Sequence, residues 1–105
     1  MTLVELGVAL EQVGVPVAYN HFKSPQELPF ICYLETGTNN LNGDNKVFHK
    51  ILTVDIELYT EDKDEALEMK IETVLDEQAL PWEHGGAIFI EDENMYQTVY
   101  SVTLI

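Results

Sequence analysis

Three histidines, one cysteine and nineteen carboxylates are the groups in this 105-residue chain that could carry chemistry. His21, His49 and His84 could serve as bases or metal ligands, yet none lies in an HxH or HExxH spacing. "HGGA" at 84–87 matches in part the oxyanion-hole glycines of esterases. The GxSxG nucleophile elbow that would give it meaning is absent, so Gly85 and Gly86 are read as shaping the entry to a strand. The stretch "ETGTNNLNGDNKVFHK" at 35–50 has the amide-rich look of a calcium loop. Placing Gly43 at loop position six puts Thr38 at position one and His49 at position twelve, where a bidentate glutamate is required, so the register fails. No Walker motif or GxGxxG is present. Cys32, within the apolar "LPFICYLE", cannot close an internal disulfide and is expected as a buried, inert thiol in a reducing compartment. The sequence assigns no catalytic residue, no cofactor and no metal ligand.

The carboxylates are more informative as a distribution. Nineteen acids face five lysines and no arginine, giving a net charge of −14. Such a surface repels nucleic-acid phosphates and anionic membranes. Residues 55–77 hold ten of the acids against Lys63 and Lys70. Glu61, Glu65, Glu68, Glu72 and Asp76 recur at spacings of three or four, which on a helix makes one continuous acidic stripe. Neither lysine stands three or four positions from one of these acids, so neither is expected to relieve it. The stripe is then either a solvated face or a surface that meets a basic partner or lines a passage. Residues 36–54, by contrast, carry Asp44 against Lys46 and Lys50. This least acidic region supplies the candidate subunit or partner contacts: Asn39, Asn40, Asn42, Asp44, Asn45 and Lys46.

These groups must be held by a small set of elements. Thr2 and Glu5 have capping-box spacing, and Leu3, Leu6, Leu10 and Val13 recur at helical intervals until Gly14 and Pro16, predicting a helix over 2–13. A proline-rich connector follows over 16–29, with a short extended piece at "VAYNHF". "FICYLE" reads as a buried strand. In "VFHKILTVDIELYT", Leu52, Val54, Ile56 and Leu58 alternate with Thr53, Asp55, Glu57 and Tyr59, a clear two-faced strand. A second helix is expected over 62–78 with Asp62 as N-cap and an apolar face of Leu67, Ile71, Val74 and Leu75. "GAIFIE" and "MYQTVYSVTLI" form a hairpin about "EDEN". The order α-β-β-α-β-β predicts an α+β fold: a single domain over 1–105, with an antiparallel sheet of about four strands, two helices, and a flexible polar loop at about 36–46. The first fifteen residues lack the basic start of a secretory signal, and no apolar run approaches the roughly 18 residues of a membrane span.

Residues 16–105 resemble the small tail-terminator proteins, also called tail-completion or tail-to-head joining proteins, of long-tailed bacteriophages and prophages. The likeness runs through "LPFICYLETGTNNLNGDNKVFHKILTVDIELYTEDKDEALEMKIETVLDE" and "EDENMYQTVYSVTLI", and is concentrated from "DNKVFHKILTVDIELYT" to the start of the acidic helix. The resemblance implies a non-enzymatic structural virion protein with an α+β fold. It would form a homo-oligomeric ring, commonly a hexamer, at the head-proximal end of the tail. The ring would terminate the tube and join it to the head connector while DNA passes through without specific binding. It would be assembled in the host cytoplasm and reside at the head–tail junction. Two other readings stay open: a head-completion or adaptor protein of the connector, and a small α+β enzyme or ligand-binding module using His49 or His84 beside a carboxylate.

Overall fold

The computed structural model describes residues 1–38, 41–43, 46–49 and 51–104, the segments 41–43 and 46–49 by their backbone. The first helix, α1 (Leu3–Leu10), starts as its sequence dictates. Thr2 accepts from the Glu5 backbone N–H at 3.1 Å, and the Glu5 carboxylate accepts from the Thr2 N–H at 2.9 Å, closing the capping box. A 3₁₀ turn over Glu11–Val13 continues it, and Gly14, at φ 93°, ends it in the left-handed conformation. The strands are β1 (Val17–Tyr19), β2 (Phe30–Thr38), β3 (Leu41–Gly43), β4 (Lys46–His49), β5 (Leu52–Thr60), β6 (Trp82–Ile90) and β7 (Met95–Leu104). The second helix, α2, spans Glu65–Glu77 between β5 and β6.

Five strands form the main sheet in the order β1-β2-β5-β7-β6, and β3 pairs with β4 in a separate two-stranded ribbon. The fold is α+β as expected, but the sheet is mixed and has five strands. Val17–Tyr19, anticipated as an extended piece of the connector, joins the sheet parallel to β2, Val17 opposite Ile31 and Tyr19 opposite Tyr33. Three residues are too few for alternation to mark a strand. The parallel direction follows because residues 20–29 carry the chain back to the starting end of the sheet. The stretch expected as a polar loop also carries regular structure. Residues 36–38 extend β2 past a bulge, and Leu41–Gly43 pair with Lys46–His49.

β5 is the axis of the sheet, antiparallel to both β2 and β7. Val54, Ile56 and Leu58 point to the helices and are buried, together with Ile31 of β2 and Tyr100 and Val102 of β7. Leu6 and Leu10 of α1 and Ile71 and Leu75 of α2 close the core from above. Each such side chain contributes about 1.5–3 kcal/mol by leaving water. Both helices lie on this one face, and among the described residues no helix covers the other. α1 approaches the sheet through Gly7, where an added Cβ would overlap the Tyr33 hydroxyl and come within 2.9 Å of its Cζ.

Gly7→Ala should therefore destabilise the protein. The helix-propensity gain of about 1 kcal/mol is outweighed by an overpacking cost of about 1–3 kcal/mol. In a Tyr33→Leu background the same change should become stabilising, and urea unfolding of the four proteins in this cycle checks the reversal of sign.

Candidate functional site

α2 does not present its acids as one open stripe. Its N-cap is Asp64, whose side chain accepts from the Leu67 N–H at 3.0 Å, two residues later than the Asp62 cap expected. Glu61 consequently precedes the helix, directly after β5. Glu65 and Asp76 are exposed and Glu72 is half-buried, while Glu68 is only 5 % exposed. Glu68 is satisfied from two sides: Lys63 Nζ donates to its Oε2, and His84 Nε2 lies 2.9 Å from its Oε1. The expectation that neither lysine relieves the acids is thus corrected. Lys63 stands five positions before Glu68, upstream of the cap, where helical spacing does not govern reach.

The row continues toward the end of the helix. The Tyr100 hydroxyl donates to Glu72 Oε2 at 2.5 Å and also faces the Glu68 carbonyl at 3.5 Å. Trp82 Nε1 donates to Asp76 Oδ1 at 2.8 Å. The Tyr100 ring packs edge-on against both Trp82 and His84. Burial, reinforced by the Glu72 carboxylate, pushes the Tyr100 phenol far above its usual range, so it stays a donor. Three of the five candidate acids therefore tether α2 to β6 and β7.

His84, with His49, is one of the two histidines whose pairing with a carboxylate would suggest proton transfer. The structure supplies the carboxylate but uses both ring nitrogens. The Gly86 N–H donates to Nδ1 at 3.0 Å, which leaves Nε2 to carry the proton and donate to Glu68. Gly86 has φ 99° and, with Gly85, forms a bulge inside β6, three residues into the strand rather than at its entry. The arrangement fixes an edge strand to a helix and leaves neither nitrogen for a substrate. Among the described residues no group of three or more His, Cys, Asp or Glu side chains could hold a metal ion.

Of the candidate contact residues, Asn42 and Lys46 lie on β3 and β4. Asn39, Asn40, Asp44 and Asn45 fall outside the described residues. Sequence reasoning missed two other surfaces. The outermost strands β1 and β6 carry unlike exposed apolar margins: Val4 and Val8 of α1 beside Tyr19 of β1, and Ile88 and Phe89 on the two faces of the β6 edge. The β1 edge is short and partly blocked, since Tyr19 Oη accepts from the Glu35 N–H at 3.2 Å. β6 is nine residues long, and from His84 to Ile90 carries no acid or lysine. Its run "AIFI" was visible as a signal, but whether it would lie inside or at the margin of a sheet was not.

The helix-free face carries the remaining polar cluster. Tyr59 Oη donates to Glu57 Oε1 at 3.1 Å, and Gln97 Nε2 donates to Tyr59 Oη at 2.9 Å and to Glu57 Oε2 at 3.3 Å. Burial raises the Glu57 carboxyl above the ordinary 4.5, against the lowering effect of the Tyr59 hydrogen bond, and Asp55 adds to the rise. Burial likewise pushes Tyr59 up to about 12.

The molecule is thus an α+β domain with one covered sheet face, one bare face and two dissimilar edges. Comparison with protein-family models and with curated proteins returns no match for this chain.

Two outcomes follow from these clusters. Tyr100→Phe should cost about 1–2 kcal/mol by stranding the half-buried Glu72 carboxylate, whereas Glu65→Gln should stay within about 0.5 kcal/mol; thermal and urea unfolding separate them. Glu57 has a folded pKa above its unfolded one, so the stability it contributes is full below about pH 4.5 and is lost as pH rises through the higher folded value. Glu57→Gln should raise the unfolding midpoint at pH 7 and leave it unchanged at pH 3.5.

Proposed function

We propose that this chain is a structural subunit that associates head-to-tail with copies of itself into a ring at the head-proximal end of a long phage tail. There it terminates the tube and joins it to the head connector. The observation that carries the assembly part is the pair of unlike apolar patches on opposite margins of one sheet. A closed ring built from a single chain needs two different, complementary surfaces on each subunit. Isolated exposed apolar residues are ordinary, but clusters at both ends of a sheet suit such a contact. The β6 edge adds unpaired backbone groups that a neighbouring chain could satisfy.

The phage setting rests on the sequence resemblance. The net charge of −14 supports it, because a ring traversed by DNA should repel phosphates rather than grip them. The β3–β4 ribbon, which stands apart from the main sheet, suits an arm toward the tube or a neighbouring subunit. In this reading Asn42 and Lys46, and the adjoining Asn39, Asn40, Asp44 and Asn45, supply contacts of that arm. The exposed acids Glu61, Glu65 and Asp76 face solvent, the lumen or a basic partner.

Ring assembly should appear by light scattering and negative-stain microscopy at high protein concentration, or on addition of purified tail tubes. Ile88→Asp combined with Phe89→Asp should abolish it while leaving circular dichroism unchanged, and Val4→Asp with Val8→Asp should do the same from the other edge. A chain that stays monomeric under both conditions and does not cap tubes would sink the proposal.

A further inference from the structure

The bare face of the sheet carries a groove of about 670 Å³ with an aromatic floor. Phe30 and Tyr59 stack there with ring centroids 5.0 Å apart and planes 25° from parallel, and Phe22 stands edge-on to Phe30 at 5.4 Å. Cys32, Ile90 and Met95 complete the apolar lining. The volume lies within the range of small-ligand and side-chain pockets, about 300–1,000 Å³.

Glu57 does not itself line the groove but adjoins two residues that do, Cys32 and Tyr59. It sits opposite Cys32 in the pairing of β2 with β5, and the Tyr59 hydroxyl, at the far end of a ring that lines the groove, donates to it. Its partners there, Tyr59 and Gln97, are both neutral. Lys23, on the groove wall, forms no ion pair with it, while Lys63 and His84 pair with Glu68 instead. A half-buried carboxylate held by neutral donors beside a stacked aromatic pair offers two things together: a negative charge without a counter-ion, and a flat π-surface leading to it.

We propose that this groove binds an arginine side chain, with an adjacent apolar residue, presented by a segment of a different protein. A guanidinium is planar, stacks on aromatic faces, and presents a fork of donors that matches a carboxylate. Lysine offers a hydrated point charge and no plane to stack. The apolar neighbour fills the space over Ile90 and Met95, and Glu93 on the rim adds attraction for the approaching cation. The donor is not a second copy of this chain, which contains no arginine. The groove meets the β6 margin at Ile90, but neither Ile88 nor Phe89 lines it, so its test reads separately from that of ring formation.

The test is a titration of ¹⁵N-labelled protein with the peptide acetyl-Arg-Leu-amide, followed by amide chemical shifts and repeated with lysine and citrulline analogues. Saturable shifts confined to residues around Phe22, Phe30, Cys32, Tyr59 and Gln97 are expected. Affinity should fall at least tenfold for the citrulline peptide, which keeps the shape and loses the charge, and at least fivefold for the lysine peptide. Glu57→Gln should weaken the arginine peptide about tenfold, with the amide spectrum reporting that the variant is folded. Shifts spread over Glu61–Glu65 and Glu91–Glu93 that survive Glu57→Gln would mean diffuse charge attraction and overturn the proposal. Equal binding of the lysine peptide would overturn the assignment to arginine. Groove shifts that appear on concentrating the protein without peptide would assign the groove to a second copy.

Discussion

Everything in this molecule is arranged around the two-sidedness of β5. Its alternate residues Val54, Ile56 and Leu58 are fully buried under α1 and α2, while Asp55, Glu57 and Tyr59 lie on the other side at intermediate exposure. Because β5 pairs with β2 and with β7, its alternation sets the register of both, and a one-residue slip would exchange core for surface along the sheet. Covering one face with both helices has a direct consequence: the second face must satisfy its own polar groups and shelter its own aromatics. It does so through the Glu57–Tyr59–Gln97 cluster and the Phe22–Phe30–Tyr59 packing, and the space left over is the groove.

The second organising feature is how a chain this acidic keeps α2 on the sheet. Repulsion along a row of carboxylates would normally loosen a helix. Here three members of the row are spent on contacts, two of them turned inward and Asp76 at the exposed end. Glu68 holds Lys63 and His84, Glu72 accepts from Tyr100, and Asp76 accepts from Trp82. His84, Trp82 and Tyr100 thus convert part of the charge into attachment between α2 and the β6–β7 hairpin, while Lys63 ties Glu68 to the connector before the helix. Glu65 and the acids around the helix start remain outside, where they keep like surfaces apart.

The periodic elements were legible in the residues. The capping box of Thr2 and Glu5, the alternation from Leu52 to Tyr59, the apolar face Ile71–Val74–Leu75 and the acidic turn between β6 and β7 are local patterns. Each pattern lies within an element of the expected type, although α2 starts at Glu65 and β6 at Trp82, because hydrogen bonding and burial over a few neighbouring residues choose the type and long-range pairing sets the ends. The α+β class follows from their order. Cys32 is buried as its apolar surroundings implied.

What the residues could not disclose is every relation set by partners distant in the chain. Val17–Tyr19 is a strand because β2 is there to receive it, and nothing within three residues signals that. Asp64, not Asp62, caps α2, its side chain accepting from the Leu67 N–H. Glu68 reads as a surface acid by its neighbours and is buried because β6 brings His84 over it from sixteen positions away. The edges, and the groove over Phe30 and Tyr59, exist only once the strand order β1-β2-β5-β7-β6 is settled. Local chemistry chooses the elements, but long-range pairing decides which of their faces meet water, and the surfaces available for function are what that pairing leaves uncovered.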